Sequence, residues 1–115
     1  MTLTVVEYVR PDGSNPFRKW FDRLDTQAAA KVTTATVRLA MGNTSSVKWI
    51  GAIAEYRIDW GPGYRVYLGR DGETLIVLLG GGIKKNQAAD IAQARMLWSE
   101  YKKCKAAPRF KGKRK

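Results

Sequence analysis

The segment from Ala54 to Tyr67 constrains the fold more than any other part of this chain. Residues 53–60 and 64–68 are rich in aromatic and β-branched side chains, and the sequence Gly61-Pro62-Gly63 separates them. Such side chains favour strands, whereas glycine and proline break regular structure, so the pattern predicts a β-hairpin. The rest of the chain is expected to be organised around this hairpin.

The two faces of the hairpin differ in chemistry if Gly61 to Gly63 form a turn of three residues. The pairs predicted for the apolar face are Trp60–Tyr64, Ile58–Val66 and Tyr56–Leu68. The opposite face collects Glu55, Arg57, Asp59, Arg65 and Tyr67. In this register Arg57 lies opposite Tyr67, Asp59 lies opposite Arg65, and Glu55 has no partner. A turn of a different length changes these pairs.

The predicted elements give an α+β domain with the order β-α-α-β-β-β-α and its helices on one side of a small, antiparallel-rich sheet. Val47 to Gly51 is ambiguous and is interpreted as an extended lead-in to the hairpin. Before the hairpin, the sequence predicts a strand over 3–9, a helix capped by Asn15 and a helix capped by Asp25. The second of these helices has an apolar stripe formed by Leu24, Ala28, Val32, Ala35 and Leu39. After the hairpin come an interior strand over 73–79, which Gly80-Gly81-Gly82 ends, and a helix over 87–103.

The charge of the chain is strongly positive and unevenly distributed. The net charge is +11, and residues 84–115 contribute +9 of it through eleven Lys or Arg and two Asp or Glu. This predicts a polyanionic partner, such as nucleic acid, an acidic membrane surface or an acidic protein. Residues 106–115 are predicted to be a basic, disordered tail.

Several classes of protein are disfavoured by composition. Histidine is absent and Cys104 is the single cysteine, so the sequence offers no zinc-ligand spacing and no internal disulfide. We therefore expect no metal and no cofactor. The longest purely apolar run, Leu75 to Leu79, is too short to span a membrane, and the apolar start contains Glu7. The sequence predicts a soluble cytoplasmic protein.

Motifs in the hairpin and in the segment that follows it are the most specific part of the sequence. They are Glu55-Tyr56-Arg57, Gly61-Pro62-Gly63-Tyr64-Arg65-Val66-Tyr67, Leu78-Leu79-Gly80-Gly81-Gly82, Lys84-Lys85-Asn86-Gln87 and Asp90-Ile91, with Phe17-x-x-Trp20-Phe21-x-x-Leu24 upstream. Together they resemble the RelE/ParE superfamily of toxins, and most closely the HigB-like, phage Gp49-related addiction module killer branch. The resemblance covers residues 3–100 and implies one RelE-like domain over residues 1–105.

The resemblance implies the toxin of a type II toxin–antitoxin system. Such a toxin is an mRNA interferase, an endoribonuclease that often acts on the ribosome and inhibits translation. Its partners are messenger RNA, the ribosome and a cognate antitoxin, commonly a helix-turn-helix protein similar to HigA. The ParE side of the superfamily implies an alternative, a toxin that inhibits DNA gyrase without cutting RNA. A non-catalytic RNA-binding module is a third reading.

The polar face of the hairpin carries the residue types that RNA cleavage by the neighbouring 2′-hydroxyl requires. That reaction needs a base, cations for the charge on phosphorus, and an acid for the leaving oxygen. Arg57 and Arg65 suit the charge, and Tyr67 is a candidate to donate a proton or stack on a base. Glu55 is a candidate base, as is Lys84 if neighbouring charges lower its pKa.

Lysines after the glycine run are further candidates. Lys84 and Lys85 precede a helix N-terminus, where the macrodipole disfavours cations, so helix stability does not explain them. The same helix end favours a bound phosphate, so Lys84, Lys85 and Gln87 are predicted to form a phosphate-binding site. Lys102 and Lys103, in the basic last helix, are additional candidates for RNA binding.

Ordinary structural roles compete with each of these assignments. Arg65 can form a surface ion pair with Asp59, and the lysines can form a solvated basic face. Gln87 and Asp90 are more often helix caps or solvent contacts.

Overall fold

The computed structural model describes residues 1–106, and of the predicted tail only Ala106 lies within them. These residues form five strands and three α-helices. The elements are β1 Thr4–Glu7, α1 Pro16–Phe21, α2 Thr26–Ala40, β2 Val47–Ile50, β3 Ile53–Ile58, β4 Tyr64–Asp71, β5 Leu75–Ile83 and α3 Gln87–Ala106, with a 3-10 helix over Lys84–Asn86 between β5 and α3.

The five strands form one mixed sheet in the order β1-β5-β4-β3-β2. β1 is parallel to β5, and the other three neighbouring pairs are antiparallel. The predicted α+β class is therefore confirmed, but the order contains one strand more than predicted. Val47–Ile50 is not a lead-in, because a tight turn at Gly51 (φ +68°) folds it back onto β3 as an edge strand.

The first two helices form as their capping residues predict. The Asn15 side chain accepts a hydrogen bond from the backbone N–H of Arg18 at 2.9 Å, and Asp25 accepts one from Ala28 at 2.8 Å. These bonds satisfy amide groups that a helix start leaves free. The predicted apolar stripe of α2 is buried at Ala28, Val32, Ala35 and Leu39.

The helices cover both faces of the sheet, so the prediction that they lie on one side is wrong. Ile76 and Leu78 of β5 pack in the core formed with α1 and α2, whereas Val77 and Leu79 pack in the core formed with α3. Side chains alternate between the faces of a strand, so an interior strand that is apolar at every position must be covered twice. We call these surfaces the α1/α2 face and the α3 face.

The glycine run does not end β5, contrary to the prediction, because the strand continues through Gly80, Gly81 and Gly82 to Ile83. A side-chain carbon on Gly81 would overlap the ring of Trp20, and one on Gly82 would overlap the carboxylate of Asp90. Glycine is thus required where α1 and α3 approach the strand closely, and not to form a turn.

Candidate functional site

The hairpin register differs from the predicted one by two residues. Strand β3 ends at Ile58 and β4 begins at Tyr64, so the loop spans residues 59–63. Gly61 and Gly63 both have positive φ (58° and 79°), which lets the loop fold back over five residues instead of three.

The shift changes every predicted pair but keeps the residues of β3 and β4 on their predicted faces, because a slip of two residues preserves the alternation. Asp59 and Trp60, predicted on the polar and apolar faces, lie in the loop. Arg57 lies opposite Arg65, and Glu55 lies opposite Tyr67. Asp59 is in the loop and not opposite Arg65, so the predicted pairs Asp59–Arg65 and Arg57–Tyr67 are wrong.

Glu55 is the centre of the polar face, and the prediction that it lacks a partner is wrong. Its carboxylate is fully buried, with Oε1 3.5 Å from Nε of Arg57 and Oε2 3.5 Å from Nε of Arg65. Nε2 of Gln87 lies 3.1 Å and 3.0 Å from the two oxygens and donates to the carboxylate. We call these four residues the Glu55 cluster. Its carboxylate offsets the repulsion between two arginines that face each other across the strands.

The two arginines of the cluster differ in accessibility. The Arg57 side chain is 45% exposed, whereas that of Arg65 is 4% exposed. Nε of Arg65 also lacks a hydrogen-bond partner among the described residues. Arg57 therefore presents a guanidinium group at the protein surface, and Arg65, opposite it across the strands, is a second, buried positive charge.

Lys84 and Lys85 lie where predicted, exposed in the 3-10 helix that leads into α3. The backbone N–H of Lys84 donates to the carbonyl of Gly63 at 2.8 Å, which joins this segment to the hairpin loop. A side-chain carbon on Gly63 would lie 3.4 Å from Cβ of Lys84 and 3.8 Å from Nη1 of Arg65. The lysine stem and the buried guanidinium therefore approach the same end of the hairpin.

Tyr67 is buried on the α3 face, with 1% of its surface exposed. Burial, and then the negative charges of Glu55 and Asp90, raise the pKa of its hydroxyl to about 12. The hydroxyl is therefore neutral at physiological pH. The ring and the hydroxyl oxygen are both enclosed, so the predicted stacking of a base on Tyr67 has no exposed surface here.

Lys102 and Lys103 are exposed near the end of α3 and are not brought to the Glu55 cluster. Lys102 lies fifteen positions after Gln87 in the helix, a distance of about 22 Å along the axis. They belong to a separate basic surface.

Two residues of α3 have roles that the sequence reasoning missed. Gln87, predicted to bind phosphate beside the lysines, donates its side-chain amide to Glu55, and Asp90 packs against Gly82 instead of facing solvent. The signal was available, because Gln87, Asp90 and the buried Ala94 recur at i, i+3 and i+7 and so share the side of α3 that faces the sheet.

Two further observations concern residues 1–106. They contain no group of three or more His, Cys, Asp or Glu side chains placed to hold a metal ion. None of the helices in this range is both long and apolar enough to cross a membrane.

The fold and the site define a class: a small α+β domain with a buried carboxylate–arginine cluster on one face of its sheet. No family model matches the chain. Over 86 residues the chain is 42% identical to an uncharacterized protein of Haemophilus influenzae, and the match covers 73% of this chain and 87% of that protein. The chain belongs to the family of that H. influenzae protein.

Proposed function

We propose that this protein is the toxin of a type II toxin–antitoxin system and inhibits translation by cutting messenger RNA, with the ribosome presenting the substrate. The observation that carries the proposal is the exposed guanidinium of Arg57, which the buried Glu55 holds beside a second arginine. The RelE-like, HigB-like motifs of the hairpin agree with this assignment, as does the excess of basic residues.

Arg57 is proposed to contact the scissile phosphate. A guanidinium group presents parallel N–H donors that match phosphate oxygens, and a donor held in place before the reaction stabilises developing charge most effectively. Glu55 is fully buried, so its proposed role is to position Arg57 and not to act as the general base. This revises the role that the sequence suggested for Glu55.

Lys84 is proposed to carry a proton or bind a phosphate oxygen at the rim. It is exposed, and its backbone is tied to the hairpin loop that also approaches Arg65. Lys85 adds a second exposed positive charge in the same segment. Tyr67 lies opposite Glu55 and its hydroxyl is neutral, but the hydroxyl is buried and is assigned no contact with the phosphate.

Binding to the ribosome and to the antitoxin is proposed from the remaining basic surface. Lys102 and Lys103 lie too far from Arg57 to share its phosphate, so they are assigned to ribosomal RNA or to an acidic antitoxin segment. No cofactor is assigned to the reaction.

Cell-free translation of one defined messenger RNA tests the proposal, with new 5′ ends mapped after the protein is added. Arg57→Ala should reduce cleavage about a hundredfold, the loss typical of one removed charge-stabilising donor. Arg95→Ala is the matched control, since Arg95 is an exposed arginine of α3 without a described ion pair. A parallel reaction without ribosomes shows whether they are required.

A second function, RNA binding without catalysis, is favoured by the burial of Arg65, Glu55 and Tyr67. It predicts that RNA binds and stays intact while translation is unimpaired. If the RNA stayed intact and did not bind the protein, the next measurement would be DNA supercoiling by gyrase.

A further inference from the structure

A cavity lies where α1, β5 and α3 meet, and Tyr67, the cross-strand neighbour of Glu55, contributes to its lining. Its volume is about 160 Å³. The residues that line it include Trp20, Arg23, Tyr67, Gly80, Asp90 and Gln93. We call it the Tyr67 cavity. A cavity of about 150 Å³ accommodates one six-membered aromatic ring, so the space suits the leading ring of a flat heterocycle whose remainder lies toward the mouth.

Two buried polar atoms at this cavity lack a partner among residues 1–106. They are the hydroxyl of Tyr67 and Oδ2 of Asp90. A buried polar group without a hydrogen bond is costly, and each such group in a folded protein calls for an explanation. Burial raises the pKa of the Asp90 carboxyl, in agreement with the lack of a donor next to it. A ligand that donates to Asp90 and accepts from Tyr67 removes both costs.

The backbone next to these atoms is also open. β1 pairs with β5 only as far as Leu78, so residues 80–83 have a strand neighbour on the β4 side alone. A side-chain carbon on Gly80 would meet no atom within 4 Å, so the strand faces free space at this point. Glycine within a strand often marks a place where a ligand approaches the backbone.

We propose that the Tyr67 cavity binds one unpaired guanine base of an RNA strand. The identity of the polymer rests on the proposed function, and the identity of the base rests on the two unpartnered atoms. Guanine places two N–H donors, N1 and N2, beside the acceptor O6. A carboxylate at position 90 accepts from the donors, and the hydroxyl of Tyr67 donates to O6.

The other bases fit this arrangement less well. Adenine would turn its N1 lone pair toward the carboxylate, and uracil offers one N–H where guanine offers two. Arg23 and Gln93 are exposed at the mouth, where the adjoining phosphate and sugar of an RNA strand would lie. Reading an unstacked base on its Watson–Crick edge is how proteins recognise single-stranded RNA.

The test measures binding of 2′-O-methyl oligonucleotides by fluorescence anisotropy. They carry guanine, inosine or adenine at one position in a run of uridine, and the modification blocks attack by the 2′-oxygen. The full chain should bind the guanine oligonucleotide about tenfold more tightly than the adenine one, with inosine between them, because inosine lacks the N2 amino group.

Asp90→Asn distinguishes a specific contact from a loss of folding. An asparagine amide pairs with a donor–acceptor edge of adenine, so this variant should reverse the preference and favour adenine. Tyr67→Phe should reduce the guanine preference without reversing it. Asp12→Asn, which changes an exposed loop carboxylate, is the matched control and should keep the wild-type preference.

Equal affinity for guanine and adenine, or an unchanged preference in Asp90→Asn, would overturn the proposal and leave the cavity to ordered water. The blocked RNA separates this result from the fate of the nuclease proposal. Guanine preference without cleavage of natural RNA would remove the nuclease and keep the base site. Cleavage of natural RNA without a base preference would remove the base site and keep the nuclease. If the protein bound no RNA at all, both the nuclease proposal and the base site would be overturned.

Discussion

The two faces of the sheet differ in the side chains that they bury, although the same strands contribute to both. The core between the sheet and α1/α2 consists of apolar and aromatic side chains such as Val32, Leu39 and Val66. The α3 face buries Glu55, Arg65 and Tyr67 beside its apolar residues. Burying charged and polar groups costs free energy that an apolar core would not, which supports the proposal that α3, in addition to packing an apolar core of its own, covers a site.

The largest effect is expected where a buried charge loses its partner. Glu55→Ala leaves Arg65 buried without a neutralising carboxylate, and we expect a loss of about 4 kcal/mol in the free energy of unfolding. Urea denaturation measures it. Adding Arg65→Met to the same chain should restore much of the loss, because no buried charge then remains at position 65. A double variant as unstable as Glu55→Ala would show that the ion pair is not the cause.

On the α1/α2 face we expect a loss caused by packing alone. Leu39→Ala removes a fully buried side chain and should lower the free energy of unfolding by about 3 kcal/mol, through lost apolar burial and the cavity left behind. Cleavage per folded molecule should stay near the wild-type rate at a temperature where the variant is folded. A specific loss of cleavage would contradict the division of roles between the faces.

Arg57 should show the reverse pattern. Its side chain is nearly half exposed, so Arg57→Ala should change the free energy of unfolding by no more than about 0.5 kcal/mol. The same variant should lose cleavage as described above. Thermal unfolding and RNA mapping on one preparation compare the two effects, and a large fall in stability would move Arg57 from the proposed site to the structural framework.

Lys84 offers a finer test of phosphate contact. If it binds one phosphate, Lys84→Ala should reduce the slope of log affinity against log salt by about 1, whatever the RNA sequence. Lys19→Ala, which removes an exposed lysine of α1 that has no assigned RNA contact, is the comparison and should leave the slope unchanged. Equal slopes for wild type and Lys84→Ala would argue against the contact.

The smallest effect is expected in the pH dependence of two carboxyl groups. The hydrogen bond from Arg18 holds the pKa of Glu7 below its ordinary value, so its stabilisation is present above that value and is lost as the pH falls through the folded-state pKa. Burial raises the pKa of Asp90, so its ionisation makes folding less favourable as the pH rises. NMR titration should place Glu7 below and Asp90 above their usual ranges. If Glu7 and Asp90 both titrated at the ordinary pKa values of their residue types, the predicted contrast between them would be wrong.

Much of the fold could be predicted from local pattern. The caps Asn15 and Asp25, the buried stripe of α2 and the interior position of β5 were all predictable, because each depends on the spacing and type of neighbouring residues. The faces of the hairpin were predictable for the same reason. Glu55, Arg57, Arg65 and Tyr67 share one face because successive side chains of a strand point to opposite faces of the sheet.

The register, the extra strand and the covered faces were decided by tertiary structure. Loop length depends on how the glycines between Asp59 and Tyr64 fold back, and many loop lengths are compatible with the same letters. In the sequence, the three glycines of β5 have the pattern of a turn. In the structure they belong to the strand, because Trp20 and Asp90 occupy the space next to Gly81 and Gly82 where side chains would lie. The partners of Glu55 likewise come from β4 and α3, elements distant in sequence, and only their packing brings Arg65 and Gln87 to one carboxylate.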